Sequence, residues 1–193
     1  AFAKLKTFRN YYHLILAPVD HEQTSIGLNE DILTELTNYK KCLLQAFDKV
    51  GMQVVFFEQF SKENSHIYIE CLAMSYNKAQ DLLSSLKVTV GVEGSWSTHK
   101  SIIKIEKEKG GIQKQIPKQI KYLYIDFSVG YGYAHVIEKK GFGKDIFYEV
   151  LATALGLEAH QVKTTEEFTE EELAVKRENF NKIWKNYDWT QLI

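Results

Sequence analysis

The chain has 193 residues, of which 45% are apolar and 25% charged, as in an ordinary globular protein with enough length for a substantial core. Its 24 basic and 25 acidic side chains leave a formal net charge of −1, so any contact with nucleic acid has to be local. The sequence contains no apolar run of about 18 residues and no signal-peptide pattern, which predicts that the chain neither spans a membrane nor carries a secretion signal.

The first part of the sequence predicts a central strand followed by a long helix. Residues 11–19 (YYHLILAPV) form an apolar run that is too short for a helix and is closed by Pro18. Asn29 is suited to cap a helix, and apolar residues then recur every three or four positions until Gly51. Because glycine readily adopts the left-handed conformation that ends helices, we expect this helix to stop there.

A hairpin and a second helix complete the predicted first half. Residues 53–60 (QVVFFEQF) are rich in β-branched and aromatic side chains, which favours a strand. A polar turn at 61–65 leads into a second strand within 64–73 (NSHIYIECLA), so the two form a hairpin. Ser75 then begins a helix that we expect to end near Lys87.

The second strand of this hairpin carries three polar side chains in a row. His66, Tyr68 and Glu70 alternate with apolar residues along it. Because side chains on a strand change face at every residue, these three are expected to project from one face, about 7 Å apart. A polar row on an apolar strand indicates a candidate site.

The character of the sequence changes between residues 91 and 120. Seven lysines lie between His99 and Lys121 against only two glutamates, and glycine and proline interrupt the stretch. We interpret it as a basic, partly extended connector. Its lysines are either contacts for an RNA backbone or members of a solvated linker. The candidate phosphate contacts are Lys100, Lys114, Lys118 and Lys121.

Residues 121–193 predict a second hairpin and two helices. The strands YLYIDF and YAHVIE pair across a turn at Gly130, where glycine supplies the unusual dihedral angles. A helix follows over 142–155. The final helix begins at a capping box, in which Thr169 and Glu172 satisfy each other's backbone N–H groups.

The chain ends in an aromatic cluster. Trp184, Tyr187 and Trp189 are candidate contacts for a protein partner, because tryptophan and tyrosine are enriched among residues that dominate interfaces. Packing of these rings back onto the body of the protein is the alternative.

Two further features are the positions of the cysteines and the first residue of the sequence. Cys42 falls within a predicted helix and Cys71 within a predicted strand, which favours free, buried thiols over a disulfide. The sequence starts at Ala1 rather than at methionine, which suggests a fragment or a processed chain.

The order of strand, long helix, hairpin and helix, with a histidine on the second hairpin strand, resembles the histidine-triad (HIT) fold. That family carries three alternating histidines on this strand, and the middle one attacks a nucleotide phosphate. The resemblance extends to a Pro-x-x-His element at 18–21. Here the triad positions are His66, Tyr68 and Glu70. A tyrosine is a neutral phenol at pH 7, and a carboxylate repels phosphate. The resemblance therefore implies a vestigial triad without its nucleophile, with His21 and His66 as candidate phosphate contacts. The alternatives are a hydrogen-bonded strand histidine at position 66 and an exposed loop histidine at position 21.

A wider resemblance covers nearly the whole chain. In the first half it rests on HLILAPVDH, VVFFEQF and SHIYIECLAM, and in the second on GYAHVIE, FGKD and an aromatic C terminus. These motifs resemble the C-terminal region of the CwfJ family of splicing-associated proteins, in which degenerate triads are usual. The resemblance implies an α+β fold, with a HIT-like antiparallel sheet, a long helix and a second β-hairpin/helix segment packed against it. The expected divisions are a first segment at 1–90, the connector at 91–120 and a second segment at 121–193.

The same resemblance implies a function. We expect a non-catalytic interaction module in pre-mRNA splicing that requires no cofactor or metal. Its expected location is the nucleus, with the cytoplasm as a second candidate. The expected partners are the lariat debranching enzyme, late spliceosome components and intron-lariat RNA; the fungal family member associated with that enzyme is the most similar. Two alternatives remain open: a residual HIT-type phosphodiesterase using His66, and an RNA-binding module that uses the connector.

Overall fold

A computed structural model describes the chain at residues 2–6, 12–61, 66–93, 102–137, 146–163 and 169–192. The strands in these ranges are β1 (Phe2–Lys6), β2 (Tyr12–Ala17), β3 (Met52–Phe60), β4 (Ile69–Ser75), β5 (Ile103–Ile105), β6 (Tyr122–Ser128) and β7 (Tyr131–Val136). The helices are α1 (Glu30–Asp48), α2 (Tyr76–Glu93), α3 (Gly111–Gln115), α4 (Ile146–Leu155), α5 (Ala159–Lys163) and α6 (Glu170–Trp184). Within the described residues, every helix is too short or too polar to cross a membrane.

The strands form one antiparallel sheet in the order β1-β2-β4-β3-β6-β7-β5. β3 pairs with β4 along one edge and with β6 along the other. Both predicted hairpins are therefore present, and their strands lie side by side in a single sheet. The predicted α+β fold, with a HIT-like antiparallel sheet, a long helix and a second hairpin/helix segment packed against it, is confirmed.

Helices cover both faces of the sheet. On one face, α2 and α4 pack over a core that includes Val55, Leu72 and Ile125. On the other face, α1 packs over a core that includes Leu14 and Phe56, and α6 packs against α1. We call these the α2/α4 face and the α1 face.

The residues predicted to begin or end the long helices do so in the structure. The Asn29 side chain accepts a hydrogen bond from the Ile32 backbone N–H at 2.9 Å, as an N-cap should. Gly51 follows α1 with φ of +73°, the left-handed conformation expected of a helix stop. At the start of α6, the Thr169 hydroxyl accepts from Glu172 N (3.3 Å), and the Glu172 carboxylate accepts from Thr169 N (2.8 Å).

Some boundaries differ from the expectations. α2 continues to Glu93 rather than ending near Lys87, and β4 starts at Ile69, later than the predicted strand. α4 is observed from Ile146, and residues 142–145 of the predicted helix lie outside the described residues.

The predicted connector contains regular structure. From residue 102 onward it forms β5, a 3₁₀ turn (Lys107–Lys109) and α3, and its isoleucines Ile105, Ile112 and Ile116 are buried. These isoleucines pack with Tyr122 in a small third core on the α1 face. Elements of three to five residues are too short to show a hydrophobic period, so packing rather than local pattern determines them.

A buried ion pair joins the two halves on the α1 face. Lys40 Nζ of α1 donates to Asp126 Oδ2 of β6 at 2.8 Å, with the two side chains 10% and 2% exposed. Lys40 Nζ also lies 5.0 Å from the centre of the Phe56 ring. Asp126 further accepts from the backbone N–H groups of the following turn, at Ser128 (3.2 Å), Gly130 (3.4 Å) and Tyr131 (3.3 Å).

A second buried carboxylate lies nearby on β3. Glu58 accepts from the Ser25 backbone N–H at 2.9 Å and from the Ser25 hydroxyl at 2.6 Å, and the Tyr122 hydroxyl also donates to it. Since Tyr122 belongs to β6, this carboxylate is also shared between the two halves.

We expect Lys40→Met to lower the free energy of unfolding by about 3 kcal/mol, because Asp126 would remain buried without its counter-charge. Urea denaturation measures the change. Lys41→Met is the matched control: it removes the same charge from the neighbouring, exposed position and should stay within about 0.5 kcal/mol of the parent. Equal effects of the two substitutions would contradict a structural role for the buried pair.

Candidate functional site

Two of the three candidate triad positions border a small cavity on the α2/α4 face. Tyr68 and Glu70 lie on its wall, and the cavity has a volume of about 240 Å³. We call it the Tyr68 cavity. Its other lining residues are Phe57, Gln59, Ser61, Phe147 and Tyr148. Residues of both segments thus line the site, because Phe147 and Tyr148 belong to α4.

The Glu70 carboxylate also contacts a histidine of the neighbouring strand. Its carboxylate Oε2 lies 2.5 Å from Nε2 of His13 on β2, and the two residues are 6% and 2% exposed. In the sheet, Glu70 is opposite Ile15 and His13 is opposite Leu72, so the two are diagonal neighbours on one face. Sequence reasoning did not single out His13. The only signal was a histidine inside an otherwise apolar strand.

Tyr68 is the most accessible of the three triad positions, with 43% of its surface exposed. Partial burial, and then the Glu70 carboxylate, raise the pKa of Tyr68 above its usual value near 10. The phenol therefore keeps its proton at neutral pH. A neutral phenol is a weak nucleophile, so the geometry opposes attack on a phosphate at this position.

His66 makes its polar contact with the chain that follows β2. Its Nε2 lies 2.9 Å from the Pro18 carbonyl oxygen, and its ring meets the His21 ring edge-on with 5.0 Å between centres. Because a carbonyl can only accept, Nε2 is the donor in this contact. Nδ1 is buried and has no hydrogen-bond partner among the described residues.

The structure therefore divides the predicted site in two. It brings the exposed His21 to His66, and it brings Tyr68 to Glu70. Neither histidine is among the described residues that line the Tyr68 cavity.

The candidate lysines have different environments. Lys114 and Lys118 are exposed, Lys121 is half-buried, and Lys100 lies outside the described residues. Two other connector lysines are already paired: Lys104 contacts Glu106 at 2.9 Å, and Lys109 contacts the other oxygen of the same carboxylate. These hydrogen bonds lower the pKa of Glu106 to about 2, so it stays charged and offsets part of the basic character.

The aromatic candidates near the C terminus pack against α1. Trp184 stacks on Phe180 with 5.9 Å between ring centres and lies parallel to Tyr39 at 6.2 Å. The Trp189 ring also contacts Tyr39, with 5.6 Å between ring centres and the rings nearly perpendicular. Trp184, Tyr187 and Trp189 are all half-buried. The two tryptophans therefore pack back onto the body of the protein, which was the alternative to a partner contact.

Metal binding has no structural support within the described ranges, where no three histidine, cysteine or acidic side chains cluster closely enough to hold an ion. The expected absence of a metal in the whole chain stays a prediction. The two cysteines are free thiols, with Cys71 fully buried and Cys42 partly exposed.

Each half of the chain matches a known protein family. Residues 3–87 match a family described as similar to the CwfJ C-terminal region, and residues 95–190 match one described as similar to CwfJ C-terminus 2. The chain, a mixed α/β protein, belongs to the CwfJ family and corresponds to its C-terminal region.

Curated relatives match at moderate identity. CWF19-like protein 2 homolog of Caenorhabditis elegans is 28% identical over 183 residues, covering 93% of this chain and 39% of that protein. Human CWF19-like protein 2 is 27% identical, covering 93% and 20%. Pre-mRNA-splicing factor cwf19 of Schizosaccharomyces pombe is 24% identical, covering 93% and 30%. The chain thus spans well under half of the length of these relatives. The narrower resemblance to the fungal member associated with the debranching enzyme stays a prediction.

The environment of Tyr68 can be tested by titration. We expect its phenol to ionise above pH 10, and Glu70→Gln to shift the midpoint down, because the substitution removes a negative neighbour that opposes phenolate formation. Carbon-13 NMR of labelled tyrosine rings would follow the titration, with Tyr68→Phe identifying the signal. A midpoint below pH 9 would contradict the assignment of Tyr68 as an unactivated phenol.

Proposed function

We propose that this chain is a non-catalytic interaction module of pre-mRNA splicing that acts on excised intron lariats. It binds the lariat debranching enzyme or late spliceosome components and promotes debranching and turnover of the lariat. Such a role places it in the nucleus. The observation that carries the proposal is family membership across both segments together with a tyrosine at the nucleophile position. The printed name of the fission-yeast relative, a pre-mRNA-splicing factor, supports the splicing role.

The geometry of the degenerate triad favours binding over catalysis. Tyr68 keeps its proton at neutral pH, and Glu70 places a carboxylate on the cavity wall. Two like charges about 4 Å apart repel by about 1–4 kcal/mol between water and a protein surface, so a phosphate is disfavoured there. His66 already donates its Nε2 proton to the Pro18 carbonyl. All three positions therefore oppose nucleotidyl transfer.

The partner hypothesis predicts a rate effect on another enzyme. Adding this protein to the lariat debranching enzyme and branched RNA should raise the debranching rate about fivefold or more, the lower range of coupling between interacting sites. Tyr68→Phe should stimulate equally, because the proposed function does not use the hydroxyl. If the rate does not change and the two proteins do not co-purify, the partner hypothesis is wrong.

A direct assay distinguishes the competing hypothesis, a phosphodiesterase, from the non-catalytic interaction module. Nucleoside phosphoramidates, dinucleotides and short RNA should all remain intact on incubation with the parent protein. Turnover that is lost in both His66→Ala and Tyr68→Phe would instead establish a phosphodiesterase, and the interaction module would be the wrong assignment.

A second candidate function is direct RNA binding through the connector, which the exposure of Lys114 and Lys118 favours. Each phosphate contact adds a salt-sensitive increment of affinity. Charge reversal at Lys114, Lys118 and Lys121 should then weaken RNA binding and reduce its salt dependence. Unchanged affinity in the triple variant would exclude this function for the connector.

A further inference from the structure

A surface groove lies between the loop that follows β2 and the first half of α1. Its volume is about 270 Å³, and we call it the β2–α1 groove. Pockets for drug-sized ligands begin at roughly 300 Å³, so this groove suits one or two side chains of a larger partner. The lining residues that matter here are Val19, Asp20, Leu28, Ile32, Glu35 and Leu36.

The floor of the groove is apolar, and its rim exposes a valine. Leu28 and Leu36 are buried in the core beneath α1, and Ile32 packs against that core while half-buried. Val19 is 81% exposed, the highest fraction among the large apolar side chains of the described ranges. Single exposed apolar residues are common, but Val19 continues an apolar surface instead of standing alone. A partner side chain that enters the groove is buried between Val19 and α1.

The surroundings of the groove are acidic. Residues 12–39, which supply β2, the loop and the first half of α1, contain five carboxylates and no lysine or arginine. The five are Asp20, Glu22, Glu30, Asp31 and Glu35. Asp20 and Asp31 are exposed and form no ion pair with a described residue. The positive end of the α1 dipole offsets only about half of one such charge, so the groove lies in a region of net negative charge.

Hydrogen bonds hold the loop that forms the rim. At its start, the Pro18 carbonyl accepts from Nε2 of His66 at 2.9 Å. At its end, the Glu22 carbonyl accepts from the Ile67 backbone N–H at 2.7 Å. The two rim residues lie between these contacts. Because the loop is ordered before binding, a partner does not have to supply the free energy of ordering it.

We propose that the β2–α1 groove binds a basic peptide segment of a partner protein, with one apolar side chain as its anchor. The anchor enters between Val19 and α1, and lysine or arginine residues beside it face Asp20 and Asp31. Burial of the anchor supplies most of the affinity, whereas the carboxylates select for positive charge and speed the encounter. RNA is disfavoured as the occupant, because its phosphates and these carboxylates carry charge of the same sign.

The test is a peptide titration followed by carbon-13 NMR of the methyl groups of Val19, Leu28, Ile32 and Leu36, which report on the groove directly. The probes are short peptides with a central leucine, phenylalanine or tryptophan between lysine and arginine residues. We expect saturable shifts of these methyl signals. Peptides with a central alanine should bind at least about tenfold more weakly, because the buried apolar surface of the anchor is lost. Peptides with glutamate in place of the basic residues should also bind more weakly.

Two substitutions in the exposed loop test the contacts without altering the core. Val19→Ser should weaken binding about fivefold, the effect of about one buried methyl or methylene group. Asp20→Lys should weaken it about threefold, and by less at high salt, because exposed charges are screened. The matched controls are Val175→Ser and Asp81→Lys, which make the same changes at exposed positions that do not line the groove. Each control should change the affinity by less than about twofold.

Four results would overturn the proposal. Equal weakening by the loop variants and their controls would show diffuse attraction, and methyl signals that no basic peptide shifts would show that the groove takes no such segment. Shifts of the same signals by a short oligoribonucleotide would assign the groove to nucleic acid. Shifts that grow with the concentration of the protein alone would assign it to a second copy of the chain.

The groove as a partner surface rests on the proposed function in one respect, that the chain acts by binding another protein. The two can fail separately. Basic peptides that bind the groove of a chain that does not stimulate debranching would support the groove and contradict the partner hypothesis. A chain that stimulates debranching but whose groove takes no basic peptide would do the reverse.

Discussion

The fold depends on β3, whose two edges are both hydrogen-bonded within the sheet. β4 of the first segment pairs along one edge, and β6 of the second pairs along the other. Val55 and Phe57 project into the core beneath α2 and α4, whereas Val54 and Phe56 project into the core beneath α1. Because burial on both faces requires helices from both segments, neither segment forms a complete core without the other.

The buried Lys40–Asp126 ion pair constrains how the two segments pack together. Replacing a buried ion pair by apolar groups is often neutral for stability, so the Lys40–Asp126 contact is better understood as a constraint on register than as a source of free energy. It fixes α1 relative to β6, and through Asp126 it also fixes the turn that begins β7.

Local signals in the sequence predicted most of the regular structure. The Asn29 cap, the Thr169–Glu172 capping box and both hairpins depend on neighbouring residues, and such patterns can be read directly. The three-residue strand β5 could not be predicted, because its stability comes from packing against β7 and Tyr122.

The candidate sites were harder to predict for the same reason. Tyr68 and Glu70 were found from strand alternation, but His13 was not, since its partner lies on a distant strand. Helical spacing from Leu36 and Leu43 places Lys40 rather than Lys41 on the buried stripe of α1. That spacing does not show the Asp126 carboxylate with which Lys40 pairs. Long-range pairs of charged side chains are thus the part of the site that sequence patterns do not show.

The shared strand also limits how this region can evolve. Separating the two family segments would strip β6 from β3 and leave Phe56–Phe60 with unpaired backbone groups beside apolar side chains. An open apolar edge of this kind is a template for pairing with other chains and therefore for aggregation. A substitution that weakens the pairing of β3 with β6 therefore exposes this edge even when both segments are present.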